Sequence, residues 1–190
     1  MIETHTRKSS YVLLFIGLLF GGFACGENGT NSQDIVAAME LNRRGLAALR
    51  FKDHERARKL FEKAHRLDRD RADYINNAGI VYMELKQYGM AVSSFQKAVK
   101  ANRFYARGHF NLGVCYQRLK KDQAAVAAYK KALALAPASF LVHYNLGLVY
   151  ARMGNKPEAR KSFARFLKSA PAGMKGPRQD AARRLKQVGG

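Results

Sequence analysis

The sequence repeats itself every 34 residues. Gly45, Gly79, Gly113 and Gly147 keep that step, as do Ala57, Ala91, Ala125 and Ala159, and Phe61, Phe95, Tyr129 and Phe163. Tyr82, Tyr116 and Tyr150 form a fourth phase, with Ala48 in the first copy. The heptapeptides NNAGIVY, FNLGVCY and YNLGLVY (76–82, 110–116, 144–150) show the echo directly. A fixed period of this length implies a stack of similar units, each too small to bury its apolar face alone.

Each unit reads as two helices. In the last one, Leu146, Val149, Tyr150 and Met153 recur at helical spacing. Gly154-Asn155 ends that run, and Pro157 falls in the first turn of the next helix, where its missing N–H costs nothing. Ala159, Phe163, Phe166 and Leu167 make a second stripe. Helices of about a dozen residues are marginal alone in water, so pairing and stacking must stabilise them. The Gly and Ala phases leave room for helices to approach, and the aromatic phases fill the space beyond. Ala64, Ala98 and Ala132 let the next unit's first helix settle against the second.

The order Leu-Gly-x-x-Tyr, Ala-x-x-x-Phe, then Pro resembles the tetratricopeptide repeat. The resemblance spans four repeats, 38–71, 72–105, 106–139 and 140–173. It departs where the family carries Trp, since Leu41, Ile75, His109 and His143 stand there. The closing Pro is present as Pro137 and Pro171 but is Arg69 and Arg103 in the first two copies. The resemblance implies an all-α superhelix of αα-hairpins, with a concave groove lined by the first helix of each pair. Phe166 replaces the Ala of the other copies and obstructs a fifth repeat. A turn over 172–177 and a helix over 178–188 follow, within a terminal segment 174–190. Ala181, Leu185 and Val188 share one face of that helix, and Arg183, Arg184 and Lys186 are expected in solvent, as in the polar-backed cap that ends a solenoid.

Asn77, Asn111 and Asn145 also share a phase. By resemblance they form a ladder along the groove, where an amide can both donate to and accept from a bound peptide backbone. Arg107 beside Asn111 is the single basic residue in a matching clamp phase, so a C-terminal carboxylate clamp is not expected. Ile80, Phe110 and Tyr144, with Val114 and Leu148, make the expected groove mixed, and Arg118 and Arg152, in phase with Arg50, add charge at its edge. Such a groove suits an extended peptide or a helix of a partner protein. His109 and His143 are expected about 10 Å apart in stacked repeats, too far for one metal ion, and read as packing residues. Cys115 reads as a buried thiol. No catalytic triad, paired-carboxylate motif, phosphate loop or CxxC is present, so no enzymatic activity, cofactor or metal is expected.

Residues 1–24 read as an export signal. Arg7 and Lys8 precede an uncharged run over 11–23, thirteen residues long and too short for a comfortable span. The run, the small residues after it and Cys25 resemble a bacterial lipoprotein signal, in which Cys25 becomes the acylated N-terminus. Gly22 stands where the lipobox carries Leu, and Phe23 is bulky, so ordinary secretion and an uncleaved anchor stay open. Residues 25–37 are expected as the lipid-bearing Cys and a flexible tether, whose eight polar residues 26–33 extend at most about 28 Å. The chain carries 34 Lys+Arg against 14 Asp+Glu. That excess favours anionic surroundings. The expectation is an envelope-anchored adaptor, periplasmic or on the outer face, with a protein partner and membrane contact through anchor and basic surface. Alternatives are a nucleic-acid- or anionic-polymer-binding protein, which an export signal disfavours for nucleic acid, and an accessory subunit of an envelope enzyme or secretion complex.

Overall fold

The computed structural model describes residues 31–189; the expected signal and Cys25 lie outside them. Those residues form nine α-helices and no strand: α1 (Ser32–Arg50), α2 (His54–Leu67), α3 (Ala72–Glu84), α4 (Tyr88–Ala101), α5 (Ala106–Arg118), α6 (Asp122–Leu135), α7 (Phe140–Arg152), α8 (Lys156–Ser169) and α9 (Lys175–Gly189). Each odd helix packs on the even helix that follows it, and α9 closes on α8. The odd helices α1, α3, α5 and α7 also touch one another along the stack, while contacts between successive even helices are sparser. The odd helices therefore line the inner, concave face, and the even helices form the outer one.

The recurring glycines fix the pairing. A Cβ on Gly45, Gly79, Gly113 or Gly147 would come within 2.4–2.6 Å of a ring carbon of Phe61, Phe95, Tyr129 or Phe163, respectively. All four rings are fully buried. Complete burial of such a ring contributes about 1.5–3 kcal/mol. The glycine thus serves the ring as well as the approach of the helices. Where the ring is Tyr129, its hydroxyl donates to Gln117 Oε1 at 2.7 Å, so the substitution buries no orphaned polar group.

The hairpin turns share one device. Lys52, Lys86, Lys120 and Gly154 have φ of 58°, 59°, 57° and 75°. This left-handed residue turns the next N–H back onto the carbonyl of Ala48, Tyr82, Tyr116 or Tyr150, at 2.8–3.0 Å, satisfying the helix C-terminus. Asn31, Asp53 and Asn155 cap the N-termini of α1, α2 and α8 through their side chains.

Two boundaries differ from expectation. Residues 32–37, expected as tether, are the first turns of α1, because Asn31 Oδ1 accepts from Asp34 N at 2.7 Å and starts the helix. The expected turn over 172–177 ends early, since α9 begins at Lys175 and takes Pro177 into its first turn.

The cap is built on Phe166. Its buried ring lies 5.0 Å from the Tyr144 ring and 6.4 Å from Phe140, centroid to centroid, and belongs to one core with the fully buried Ala181 of α9. Arg178 Nη1 donates to the carbonyls of Leu167 and Ala170 at 2.8 and 2.7 Å, closing the C-terminus of α8. Tyr144 Oη donates to Asp180 Oδ2 at 2.8 Å, and Arg183 and Arg184 pair with the same carboxylate. Arg184 is half-buried rather than free in solvent. Burial raises the pKa of Asp180, but hydrogen bonds from Arg184, Tyr144 and Arg183 outweigh it and hold the carboxyl below its ordinary range.

Two predictions follow from this packing. Gly113→Ala forces a methyl into the Tyr129 ring and destabilises the chain by about 1–3 kcal/mol in urea denaturation. Gly89→Ala meets nothing within 4 Å and is expected to stabilise by about 0.5–1 kcal/mol. Because the Asp180 pKa is depressed by folding, its contribution is present above the unfolded value and lost as pH falls through the folded one. The difference in Tm between the parent and Asp180→Asn should therefore be largest at neutral pH and shrink below about pH 4.

Candidate functional site: the concave groove

The inner face carries two hollows. The larger, about 330 Å³, lies among α3, α5, the end of α6 and the start of α7, with Ile80, Phe110, Leu141 and Val142 as apolar wall and Arg107 and Asn111 as its polar side. The smaller, about 250 Å³, lies between α1 and α3, lined by Met39, Leu46, Asn42, Asp73 and Asn77. Arg107 borders both, with Nη1 3.9 Å from Asp73 Oδ1. The fold thus brings together Ile80, Arg107, Phe110 and Asn111 of the expected groove.

Two of the expected asparagines bond to other asparagines. Asn77 Nδ2 donates to Asn42 Oδ1 and Asn111 Nδ2 to Asn76 Oδ1, both at 2.8 Å. Asn76 Nδ2 reaches Asn77 Oδ1 at 3.5 Å, so a line of amides runs from α1 through α3 to α5. Asn77 and Asn111 are buried. One donor of each joins successive repeats, while Asn77 lines the smaller hollow and Asn111 the larger. The third link is missing, because Phe110 stands where Asn42 and Asn76 stand earlier. Asn145 instead donates to Leu141 O in its own helix at 3.0 Å and lines neither hollow. Where the amide line stops, the larger apolar hollow begins.

Other expected groove residues are committed elsewhere. Tyr144 is held against α9 by Asp180 and by its packing on Phe166. Burial, and then the hydrogen bond to Asp180, raise its pKa. Arg152 donates through Nε to Asp122 at 3.0 Å and pairs with it through Nη2, tying α7 to the start of α6 rather than charging the groove. The bond from Arg152 lowers the pKa of Asp122. Arg118 is exposed at the end of α5 and lines neither hollow. Val114 and Leu148 are half-buried against the core. Sequence reasoning missed Met39, Asn42, Asp73 and Leu141, and the bonding of Asn76. The signal for the amide pairs was a second step: Asn42–Asn77 and Asn76–Asn111 are each 35 apart.

No acid–base, nucleophilic or metal-binding set gathers here. His109 and His143 are buried, and burial, with Arg165 nearby, lowers the pKa of His143. Burial pushes the Cys115 thiol up to about 12, far from a reactive thiolate. Among the described residues no group of three or more His, Cys, Asp or Glu is placed to hold a metal ion. Nor is any described helix long and apolar enough to cross a membrane.

Asn111→Ala leaves Asn76 Oδ1 buried without its donor. It should cost about 1–3 kcal/mol in urea denaturation, whereas Asn145→Ala should stay within about 0.5 kcal/mol of the parent.

Comparisons with known proteins agree with this geometry. A family model described as TPR repeat matches 119–154, one described as tetratricopeptide repeat matches 140–172, and another of that description matches 41–71 and 72–105. Together they span more than half of the chain. No curated protein matches at a significant level. Among solved structures, a crystal structure of MamA superposes with a TM-score of 0.63 at 24% identity, over 76% of this chain and 91% of that one. MamA from Desulfovibrio magneticus RS-1 gives 0.66 at 20% identity, over 80% and 93%. The first TPR of Spaghetti (RPAP3), bound to an HSP90 peptide, gives 0.61 at 22% identity, over 63% and 95%. At such identities the superpositions establish the fold.

Proposed function

Because the chain belongs to the tetratricopeptide repeat family, we propose that it is a non-catalytic adaptor whose concave groove holds a segment of a partner protein at the bacterial cell envelope. The observation that carries this reading is the hollow at Ile80, Phe110, Leu141 and Val142. It offers apolar anchorage with only Arg107 and Asn111 as strong polar groups beside it, as expected for the side chains of a docked helix or strand. The peptide held by the RPAP3 repeat domain supports an occupant of this kind. Asn111 contributes here through its Oδ1 and its second amide N–H, since one N–H is already given to Asn76. The envelope location rests on the resemblance of 1–25 to a lipoprotein signal, with Cys25 as the acylated residue. Membrane contact would then come from the lipid and from the basic surface.

Leu141 and Arg107 are both exposed, so Leu141→Glu and Arg107→Glu should fold like the parent. In pull-downs from solubilised membranes, the double variant should lose the partner that the parent captures, by at least about tenfold for a buried anchor at an interface. Equal capture by parent and variant would remove the groove as the binding site. Location is tested separately: Cys25→Ala should leave the membrane fraction, and unchanged fractionation in mild salt would exclude lipidation as the anchor.

A further inference from the structure

The positive charge of the chain is concentrated in its C-terminal half. Residues 31–85 hold 11 Lys+Arg and 9 Asp+Glu, whereas 86–189 hold 21 and 3. Two of those three acids are already engaged, Asp122 by Arg152 and Asp180 by Tyr144, Arg183 and Arg184. Seven of the remaining cations lie on the outer helices α6 and α8. Helix α8 exposes Lys156, Arg160, Lys161, Arg165 and Lys168, and α6 exposes Lys130 and Lys131. None of these seven is in an ion pair among the described residues, where the pairs of this half use Arg107, Arg152, Arg183 and Arg184. Three of them, Lys130, Lys161 and Arg165, line a groove of about 570 Å³ between α6 and α8 together with Asn155 and Ser162, and His143 and Tyr150 of α7 also reach it. Glu158 is the one carboxylate on that wall, against three cations.

We propose that this convex groove between α6 and α8 binds the phosphate groups of anionic lipid headgroups, laying the outer face of the solenoid on a bilayer. The proposal deepens, and rests on, the reading that the chain works at a membrane. Three convergent cations with flanking amide and hydroxyl groups suit a phosphodiester, and the cations of α8 extend the same charge beyond the groove. The opposite face stays free, so the concave hollow can hold a protein while the convex face lies on lipid. Nucleic acid fits less well. Phe104 is the only aromatic among the large hydrophobic side chains that this half exposes, and it leaves no row of rings for successive bases. A second copy of the chain fits less well too, because four of the N-terminal carboxylates, Glu40, Glu55, Glu62 and Asp68, are already paired with Arg43, Arg58 and Arg71, and Lys+Arg still outnumber Asp+Glu in that half by 11 to 9.

Vesicle co-sedimentation of the full chain tests this. Neutral phosphatidylcholine vesicles report any contribution of the N-terminal apolar run, and vesicles one-third phosphatidylglycerol report the added preference for anionic lipid. Each Lys or Arg held at such a surface strengthens binding about fivefold. The triple variant Lys130→Gln, Lys161→Gln, Arg165→Gln should lower the anionic preference roughly hundredfold. The variant Arg44→Gln, Lys52→Gln, Lys63→Gln removes the same charge from the other half and should change it only a few-fold. The charge-keeping set Lys130→Arg, Lys161→Arg, Arg165→Lys should bind like the parent, which separates lost binding from lost folding. Equal losses in both Gln variants would mean bulk attraction and overturn the groove. So would retained binding in the groove variant. Two further results would also overturn the bilayer assignment. One is tight binding of inorganic phosphate without any preference for anionic vesicles; the other is loss of oligonucleotide binding in the groove variant while vesicle binding persists. Failure of the lipid-anchor reading looks different, because Cys25→Ala alters cell fractionation and leaves the anionic preference of the purified chain intact.

Discussion

The structure depends on one contact made four times: an aromatic ring of an even helix lying on a glycine of the odd helix before it. The ring carbons come closer to the glycine than any Cβ would permit, so the two residues specify each other. Burying the ring fixes how far along its partner each even helix sits. That places Ala57, Ala91, Ala125 and Ala159 at the fully buried crossing, and it aligns Ala64, Ala98 and Ala132 for the next repeat. A helix pair of this size has too little apolar surface to be stable alone, so the hairpin contact and the stack it permits stabilise one another.

On that frame the inner face is graded along its length. From α1 to α5 the repeats are joined by a line of amides, a polar seam in which Asn77 bonds to Asn42 and Asn111 to Asn76. Such a seam contributes little net energy per bond, but it penalises any slip in register, since a shift would leave buried amides unpaired. Beyond Phe110 the seam ends and the inner surface becomes apolar. The end of the stack is then closed by α9, whose Asp180 collects Tyr144, Arg183 and Arg184 beside the buried Phe166. A hollow between a polar seam and a sealed end offers apolar surface without exposing the core.

Period and small-residue phases made the fold legible from sequence. Glycine, alanine and aromatic positions at a common step leave few other ways to pack, and Phe166 in place of alanine marked where the stack must end. The site was less legible, for a physical reason. A helix phase tells which side of a helix a residue occupies but not whether a neighbouring helix covers it. Asn77 and Asn111 do lie toward the inner side, yet the preceding odd helix supplies an acceptor 35 residues upstream that takes one of their two amide N–H groups. Tyr144 and Arg152 were drawn away by Asp180 and Asp122, partners whose proximity arises only when α9 folds back and α7 stacks on α6. Ile80 and Phe110, which have no such partner, and Arg107, whose partner Asp73 lies on the neighbouring inner helix, fell where their phase placed them.

Two faces with different chemistry follow from the alternation of helices, an apolar inner hollow and a cationic outer surface. Hydrogen–deuterium exchange on the full chain, with and without a partner purified from membranes, would read which face the partner protein uses. Protection confined to α3, α5, the last turn of α6 and the first turns of α7, with the rest of α6 and α8 unchanged, is the result expected if the concave hollow is the protein-binding site. Protection centred on α6 and α8, with the inner helices exchanging as before, would contradict it.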